Sequence, residues 1–226
     1  IFCKIKNSES IVNKNLKMKI KVCGNRDLNQ LEELNDLGVD YAGFIFYEQS
    51  PRYVLKKLDG KDVVNLKLSL QKVGVFVNAS EDEIMKQIDD FGLDLVQLHG
   101  DETPSFCNRI SDHIKVIKSF RIADYDNNVD WLVKEYDEVC DYYLFDKGSA
   151  GLYGGTGEKF NWDLLEKSTI GKPFFLSGGI SVNDAGALKK FKHDFFYGVD
   201  VNSRFETEPG IKDMKQISEF VKQLRN

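Results

Sequence analysis

Four kinds of group in this sequence could do chemistry together: a thiol, a carboxyl, a guanidinium and two clusters of glycine. Cys23 closes the run "KMKIKVCG" (17–24), Asp146 closes "YYLFD" (142–146), and Arg52 sits in the loop "YEQSPRY" (47–53). The glycines gather in "YGGTG" (153–157) and "SGG" (177–179). A thiol and a carboxyl facing one small substrate form an acid–base pair, provided that the thiol can reach its thiolate form beside positive charge. A guanidinium clamps a carboxylate bidentately. Glycine-rich turns ahead of helices offer unhindered N–H groups to anions such as phosphate. Each feature also has a plainer reading. Taken alone, Cys23 is better read as a small buried hydrophobe, Asp146 as a loop cap, Arg52 as a surface group and a glycine pair as a turn. Their placement has to decide.

Placement follows from the alternation of short apolar runs with helical patterns. Strand candidates are "KIKVC" (19–23), "YAGFIF" (41–46), "KVGVFV" (72–77), "LDLVQL" (93–98), "IKVIKSF" (114–120), "YYLFD" (142–146), "PFFLS" (173–177) and "DFFYGVDV" (194–201). Helical stretches separate them: Leu28, Leu31, Leu34 and Leu37 recur three apart and stop at Gly38, and Ser80 stands three residues before Glu83 as a cap. Continuous apolar strands suit a parallel sheet buried on both faces. Eight such units favour a single (β/α)8 TIM barrel over a doubly wound open sheet, and "CGNRDL" lacks the glycine fingerprint of a dinucleotide-binding sheet. The barrel spans 18–226, and the polar residues 1–17 read as a flexible N-terminal extension ahead of Met18.

In such a barrel the active site lies at the C-terminal ends of the strands. That rule collects Cys23-Gly24, Arg52, His99, Asp146, Ser177-Gly178-Gly179 and the run Asp200 to Arg204 at one rim. Gly24 lets the chain turn away after the thiol. Lys118, inside an apolar strand, either lines the site or pairs with an acid in the barrel interior. The remaining composition narrows the options. A net charge of −5 gives no footprint for nucleic acid. Four dispersed cysteines and three dispersed histidines give no metal site, and no apolar run approaches membrane-spanning length.

Together the quoted residues resemble the phosphoribosylanthranilate isomerase family of tryptophan biosynthesis. The matching stretches are "KIKVCG", "GFIFYEQSPRYV", "VGVFVN", "VQLHGDE", "LFD", "YGGTGEKFNW", "LSGGI" and "GVDVNSRFETEPGIKD", in order from residue 19 to residue 213. The resemblance implies an Amadori rearrangement without cofactor or metal, by a cytoplasmic enzyme that is a monomer or a homodimer. It implies that Asp146 is the general acid that protonates the ribose ring oxygen and opens the ring to a Schiff base. Cys23 would be the general base that removes the C2′ proton, giving an enolamine that becomes the ketone. Arg52 would hold the anthranilate carboxylate, and Gly155, Gly178, Gly179, Asn202 and Ser203 would line the phosphate site. Two positions depart from the family pattern: Asn202-Ser203-Arg204 replaces a Ser-Ser-Gly type sequence, and Lys147 stands where a small hydroxyl residue is frequent. Rival phosphosugar barrels fit less well. A ribulose-phosphate epimerase would want metal-binding histidines and acids at strand ends, and an indoleglycerol-phosphate synthase a pair of catalytic lysines.

Overall fold

The computed structural model describes residues 17–122, 128–147 and 159–226. Its strands β1 (Lys19–Val22), β2 (Tyr41–Ile45), β3 (Gln71–Phe76), β4 (Leu95–Leu98), β5 (Lys115–Ile122), β6 (Tyr142–Lys147), β7 (Phe174–Leu176) and β8 (Phe196–Val201) pair in sequence order into a closed parallel barrel. The last strand closes on the first, with Lys21 beside Asp200 and Val22 beside Val201. The open-sheet alternative is thereby excluded. The N-terminal extension up to residue 16 and the "YGGTG" cluster lie outside the described residues.

The helices start and stop where local chemistry dictates. In α1 (Leu28–Asp36) the Asp27 side chain accepts the Gln30 N–H, and the leucine stripe buries Leu31 and Leu34. A second helix, α2 (Gly60–Asn65), escaped the sequence reading because six residues opened by a glycine carry too little periodicity. Ser80 caps α3 (Glu81–Phe91) as expected, and Gly92 ends it in the left-handed conformation. Then come α4 (Pro104–Ser111), capped by Thr103, α5 (Val129–Val133), α6 (Asp163–Glu166) and α7 (Ala185–Lys190). A small hairpin, β9 (Glu206–Glu208) with β10 (Ile211–Lys212), follows β8 and was also unforeseen. The last helix, α8 (Met214–Arg225), buries Ile217, Phe220, Val221 and Leu224, while its Arg225 reaches Asp40 at 2.6 Å.

Strand alternation divides the core in two. Tyr41, Val73, Leu95, Ile117, Leu144 and Phe175, one from each of β2 to β7, form a buried cluster separate from the one that faces the helices. They fill the barrel, and the hydroxyls of Tyr41 and Tyr197 meet at 2.8 Å beside them. This layer is a packed floor and leaves no pore. Two residues further along the strands the inward positions become Gly43, Val75, Gln97, Ser119, Asp146 and Ser177, of which Val75 alone has an apolar side chain. The site is built on that step from apolar to polar.

Candidate active site

Cys23 directly follows β1, and its N–H donates to the Val201 carbonyl at 2.9 Å, which fixes the thiol on the seam between β8 and β1. A Cβ on Gly43 would stand 2.8 Å from the Cys23 sulfur, so the bare backbone of β2 is what makes room for it. Gly24 has φ +76°, and a Cβ there would meet the Arg52 side chain at 2.8 Å and the Asn202 side chain at 3.0 Å. Only glycine turns the chain here while both neighbours close in. Burial pushes the Cys23 thiol above its ordinary range, with Lys21 and Lys212 pulling it back and Asp200 adding to the rise. The positive charge expected beside the thiol is present, but in the free protein burial outweighs it.

Asp146 sits on the same rim, near the end of β6, with one carboxylate oxygen accepting the Lys147 N–H at 2.8 Å. Burial, reinforced by the Asp200 carboxylate, pushes the Asp146 carboxyl up to about 7. A group so placed keeps its proton up to the neutral range, where an ordinary aspartate has lost it, and can give it away. Gly178 is tailored to it, since a Cβ there would lie 2.8 Å from the Asp146 Oδ1. His99 is buried, bonds through Nδ1 to Gln97 (2.9 Å) and Ser119 (3.0 Å), and brings Nε2 to 3.7 Å from Asp146. Burial, then Lys118, Lys21 and Arg121, hold His99 down at about 3, so this approach is between a neutral imidazole and the acid and is no ion pair. His99 thus stands on the rim expected from its sequence position, as a buried neutral side chain beside the acid.

Beneath both groups lies a buried ion pair, Lys21 Nζ to Asp200 Oδ1 at 2.8 Å. A second charged cluster stands on the rim. Arg52 donates from Nε and Nη2 to both oxygens of Glu206 (2.6–3.0 Å), and Lys212 donates to Glu206 Oε1 at 2.7 Å. Lys212 also donates to the Cys23 carbonyl and to Asn202 Oδ1, so the hairpin after β8 straps the β1 and β2 loops together. Burial disfavours the Glu206 carboxylate, but Arg52 and Lys212 outweigh it and hold it below the usual range. Arg52 is therefore no loose surface group; it is fixed in orientation before any substrate arrives.

The glycines after β7 fit an anion turn: Gly178 and Gly179 take φ of +85° and +62°. Beside them, after β8, Asn202 leads into a 3-10 turn, Ser203–Phe205. The two turns stand on adjacent strands, which brings together four of the five residues expected at the phosphate; Gly155 lies outside the described residues. Asn202 differs from expectation in one respect, because its side-chain oxygen is engaged by Lys212. Arg204 is exposed and Lys147 buried. Lys118 pairs with an acid, as one of its alternatives held, but outside the barrel interior. It alternates with the inward-facing Ile117 and Ser119, and on the helix side of β5 it pairs with Glu102 at 3.0 Å.

A family profile described as N-(5′-phosphoribosyl)anthranilate (PRA) isomerase matches residues 20–223. An N-(5′-phosphoribosyl)anthranilate isomerase of Parabacteroides distasonis is 40% identical over 212 residues, covering 92% of this chain and 93% of that protein. The chain belongs to the phosphoribosylanthranilate isomerase family. It is an aldose–ketose isomerase, acting on N-(5′-phosphoribosyl)anthranilate in tryptophan biosynthesis. The crystal structure of the family member from Thermotoga maritima superposes with a TM-score of 0.76 at 29% identity, covering 92% of this chain and 98% of that one. Another member, crystallised with reduced 1-(o-carboxyphenylamino)-1-deoxyribulose 5-phosphate, gives 0.72 at 28% identity with the same coverage.

To the residues given roles from the sequence, the structure adds Gly43, Lys21, Asp200, Glu206 and Lys212, all of them within the quoted stretches. Asp200 stood among the strand-end residues but carried no assigned role. A lysine two positions before the thiol on "KIKVC" was the one available signal, since alternation alone turns it inward. Nothing in the sequence pairs Glu206 with Arg52, which lie 154 positions apart.

Proposed function

We propose that Asp146 and Cys23 carry the isomerisation as general acid and general base. The observation that supports this best is a carboxyl held protonated near neutral pH on the same rim as a thiol that has two ammonium groups beside it. Asp146 gives its proton to the ribose ring oxygen as the C1′–O bond breaks and the anilino nitrogen lone pair forms the Schiff base. The Cys23 thiolate takes the C2′ proton, and the electrons of that C–H bond form the enolamine. The enolamine becomes the ketone when C1′ gains a proton and the C2′ hydroxyl loses one, which returns both side chains to their starting states.

Gly178, Gly179, Asn202 and Ser203 hold the phosphate together with Gly155, and the anthranilate ring lies toward Arg52. The bonds to Glu206 use Nε and Nη2, which leaves Nη1 as the corner of the guanidinium for the substrate carboxylate. All these residues come from one chain, so a monomer and a homodimer are equally able to run the reaction. Free thiols at Cys23, Cys107 and Cys140 are in keeping with a reducing cytoplasm. Among the described residues no helix is long and apolar enough to cross a membrane.

The test is a coupled assay with freshly made phosphoribosylanthranilate, together with rescue of a tryptophan auxotroph lacking this step. A non-catalytic phosphate-binding barrel would bind the substrate and fail both. Cys23→Ser should fold normally and lose turnover by roughly 10²–10⁴; near-normal rates would remove the thiol from the mechanism. Arg52→Ala should raise KM roughly tenfold or more, the worth of a charge-assisted hydrogen bond. Unchanged KM and kcat would take it out of the site.

The pH dependence follows from the two carboxyl and thiol environments. With both groups protonated there is no base, and with both ionised there is no acid. Activity therefore rises as pH passes about 7, where the pair sheds its first proton, and falls above the raised value of the thiol. A profile of kcat/KM that peaks below pH 6 would contradict this assignment.

A further inference from the structure

The pair Lys21–Asp200 is the largest electrostatic feature of the site that the reaction scheme leaves unused. Both side chains are buried, at 0% and 6% exposure, and Nζ lies 2.8 Å from Oδ1. Such a pair is a poor device for stability alone, because apolar replacements of similar volume often serve as well or better. Its location points to chemistry. Lys21 stands two residues before Cys23 on the inward face of β1, and Asp200 lies opposite it in register on β8.

We propose that Lys21, braced by Asp200, is a positioning residue: a fixed counter-charge for the negative charge that the reaction moves from Cys23 to Asp146. This rests on the acid–base reading above. In the reactive form the thiol is ionised and the carboxyl is neutral. After ring opening and loss of the C2′ proton, the thiol is neutral and the carboxyl is ionised, while the substrate has gained one proton at the ring oxygen and lost one at C2′. One negative charge has crossed the barrel mouth and the total has not changed. An ammonium fixed beneath both ends meets that charge at either position without rearranging, which is the condition for electrostatic preorganisation. Asp200 keeps the floor neutral, so the ammonium does not trap the thiolate.

The other charged groups around the two ends are few. Cys23 faces Lys21, Asp200 and Lys212, with Arg52 beside Gly24 and Glu206 binding both Arg52 and Lys212. Asp146 faces Asp200, Lys21 and the neutral His99. Lys21 acts in the same sense on both ends, favouring the ionised form of each, and Asp200 acts in the opposite sense.

Opposite signs make the proposal testable without relying on turnover. Iodoacetamide alkylation of Cys23 is followed across pH by peptide-resolved mass spectrometry, with Cys107 and Cys140 as internal references. Lys21→Met should move the ionisation of Cys23 to higher pH and slow its alkylation at pH 8 by roughly tenfold. Asp200→Asn, which keeps the shape, should move it to lower pH and speed alkylation, and both limbs of the kcat/KM profile should shift downward, because Asp200 raises Asp146 and the thiol alike. Shifts of opposite sign support the counter-charge. Equal losses in both variants with an unmoved thiol titration would mean a structural role and overturn it. If Lys21→Met does not fold, Asp200→Asn decides by itself: unchanged alkylation refutes the proposal. Retained turnover in Cys23→Ser would instead defeat the acid–base reading while leaving the titration shifts intact.

Discussion

Asp146→Asn should yield an enzyme that is inactive and, above pH 7, more stable than the parent. Loss of activity by roughly 10²–10⁴ in kcat/KM follows from removing the group proposed to protonate the ring oxygen. The gain in stability follows from linkage. Burial and Asp200 raise the folded carboxyl to about 7 from an ordinary 3.8, so between these values the folded chain binds a proton that the unfolded chain releases. Stability from this group is therefore greatest at low pH and is lost as pH rises from about 4 to 7. At pH 8 the parent carries an ionised, buried Asp146 next to Asp200, and the neutral amide relieves a few kcal/mol of that cost at most. Thermal melts at pH 4, pH 5 and pH 8 check it: the variant's gain should be largest at pH 8, smaller at pH 5 and smallest at pH 4. Equal melting temperatures at pH 8 would mean that Asp146 ionises without penalty, and the proposed acid would lose its support.

The largest effect on stability should come from Glu102, which takes no part in the proposed reaction steps. Its carboxylate pairs with Lys118, both at 3% side-chain exposure, and accepts the backbone N–H groups of Asn78 (2.9 Å) and Gly100 (3.0–3.1 Å). Lys118 in turn donates to the Gly100 carbonyl at 2.8 Å. Glu102→Ala leaves an ammonium buried without its counter-charge, at a cost of about 3–5 kcal/mol. For a chain of this length that lowers the melting temperature by roughly ten degrees. Lys118→Met combined with Glu102→Gln should recover most of the loss, because glutamine still accepts the two N–H groups and no charge remains to be paired. Failure of the double variant to recover would place the stabilisation elsewhere. The loop concerned carries His99 beside Asp146, so Glu102→Ala should also lower kcat before the protein melts.

The sequence by itself determined the architecture and singled out the two groups proposed to react. Eight apolar runs separated by helical patterns leave few topologies, and the rule that a parallel barrel reacts at its C-terminal rim then puts Cys23, Asp146, Arg52 and the glycine turns together. Both signals are local, and local patterns survive in a linear text. Features without a local pattern did not show. The short helix Gly60–Asn65 and the hairpin Glu206–Lys212 are too brief to build a period. Gly43 has no local pattern to mark it either: its role is to leave the space that the sulfur of Cys23 occupies, where a side chain would be.

What only the tertiary structure decided is the charge on each group. Lys21 and Asp200 are 179 positions apart, Arg52 and Glu206 are 154 apart, and barrel closure makes each a contact. Protonation depends on burial and on charges a few ångströms away, neither of which has a fixed relation to sequence spacing. For that reason "KIKVCG" could name Cys23 as the candidate base, whereas the folded barrel revealed that burial opposes its ionisation and that Lys21, two residues earlier on the same strand, is the nearest remedy.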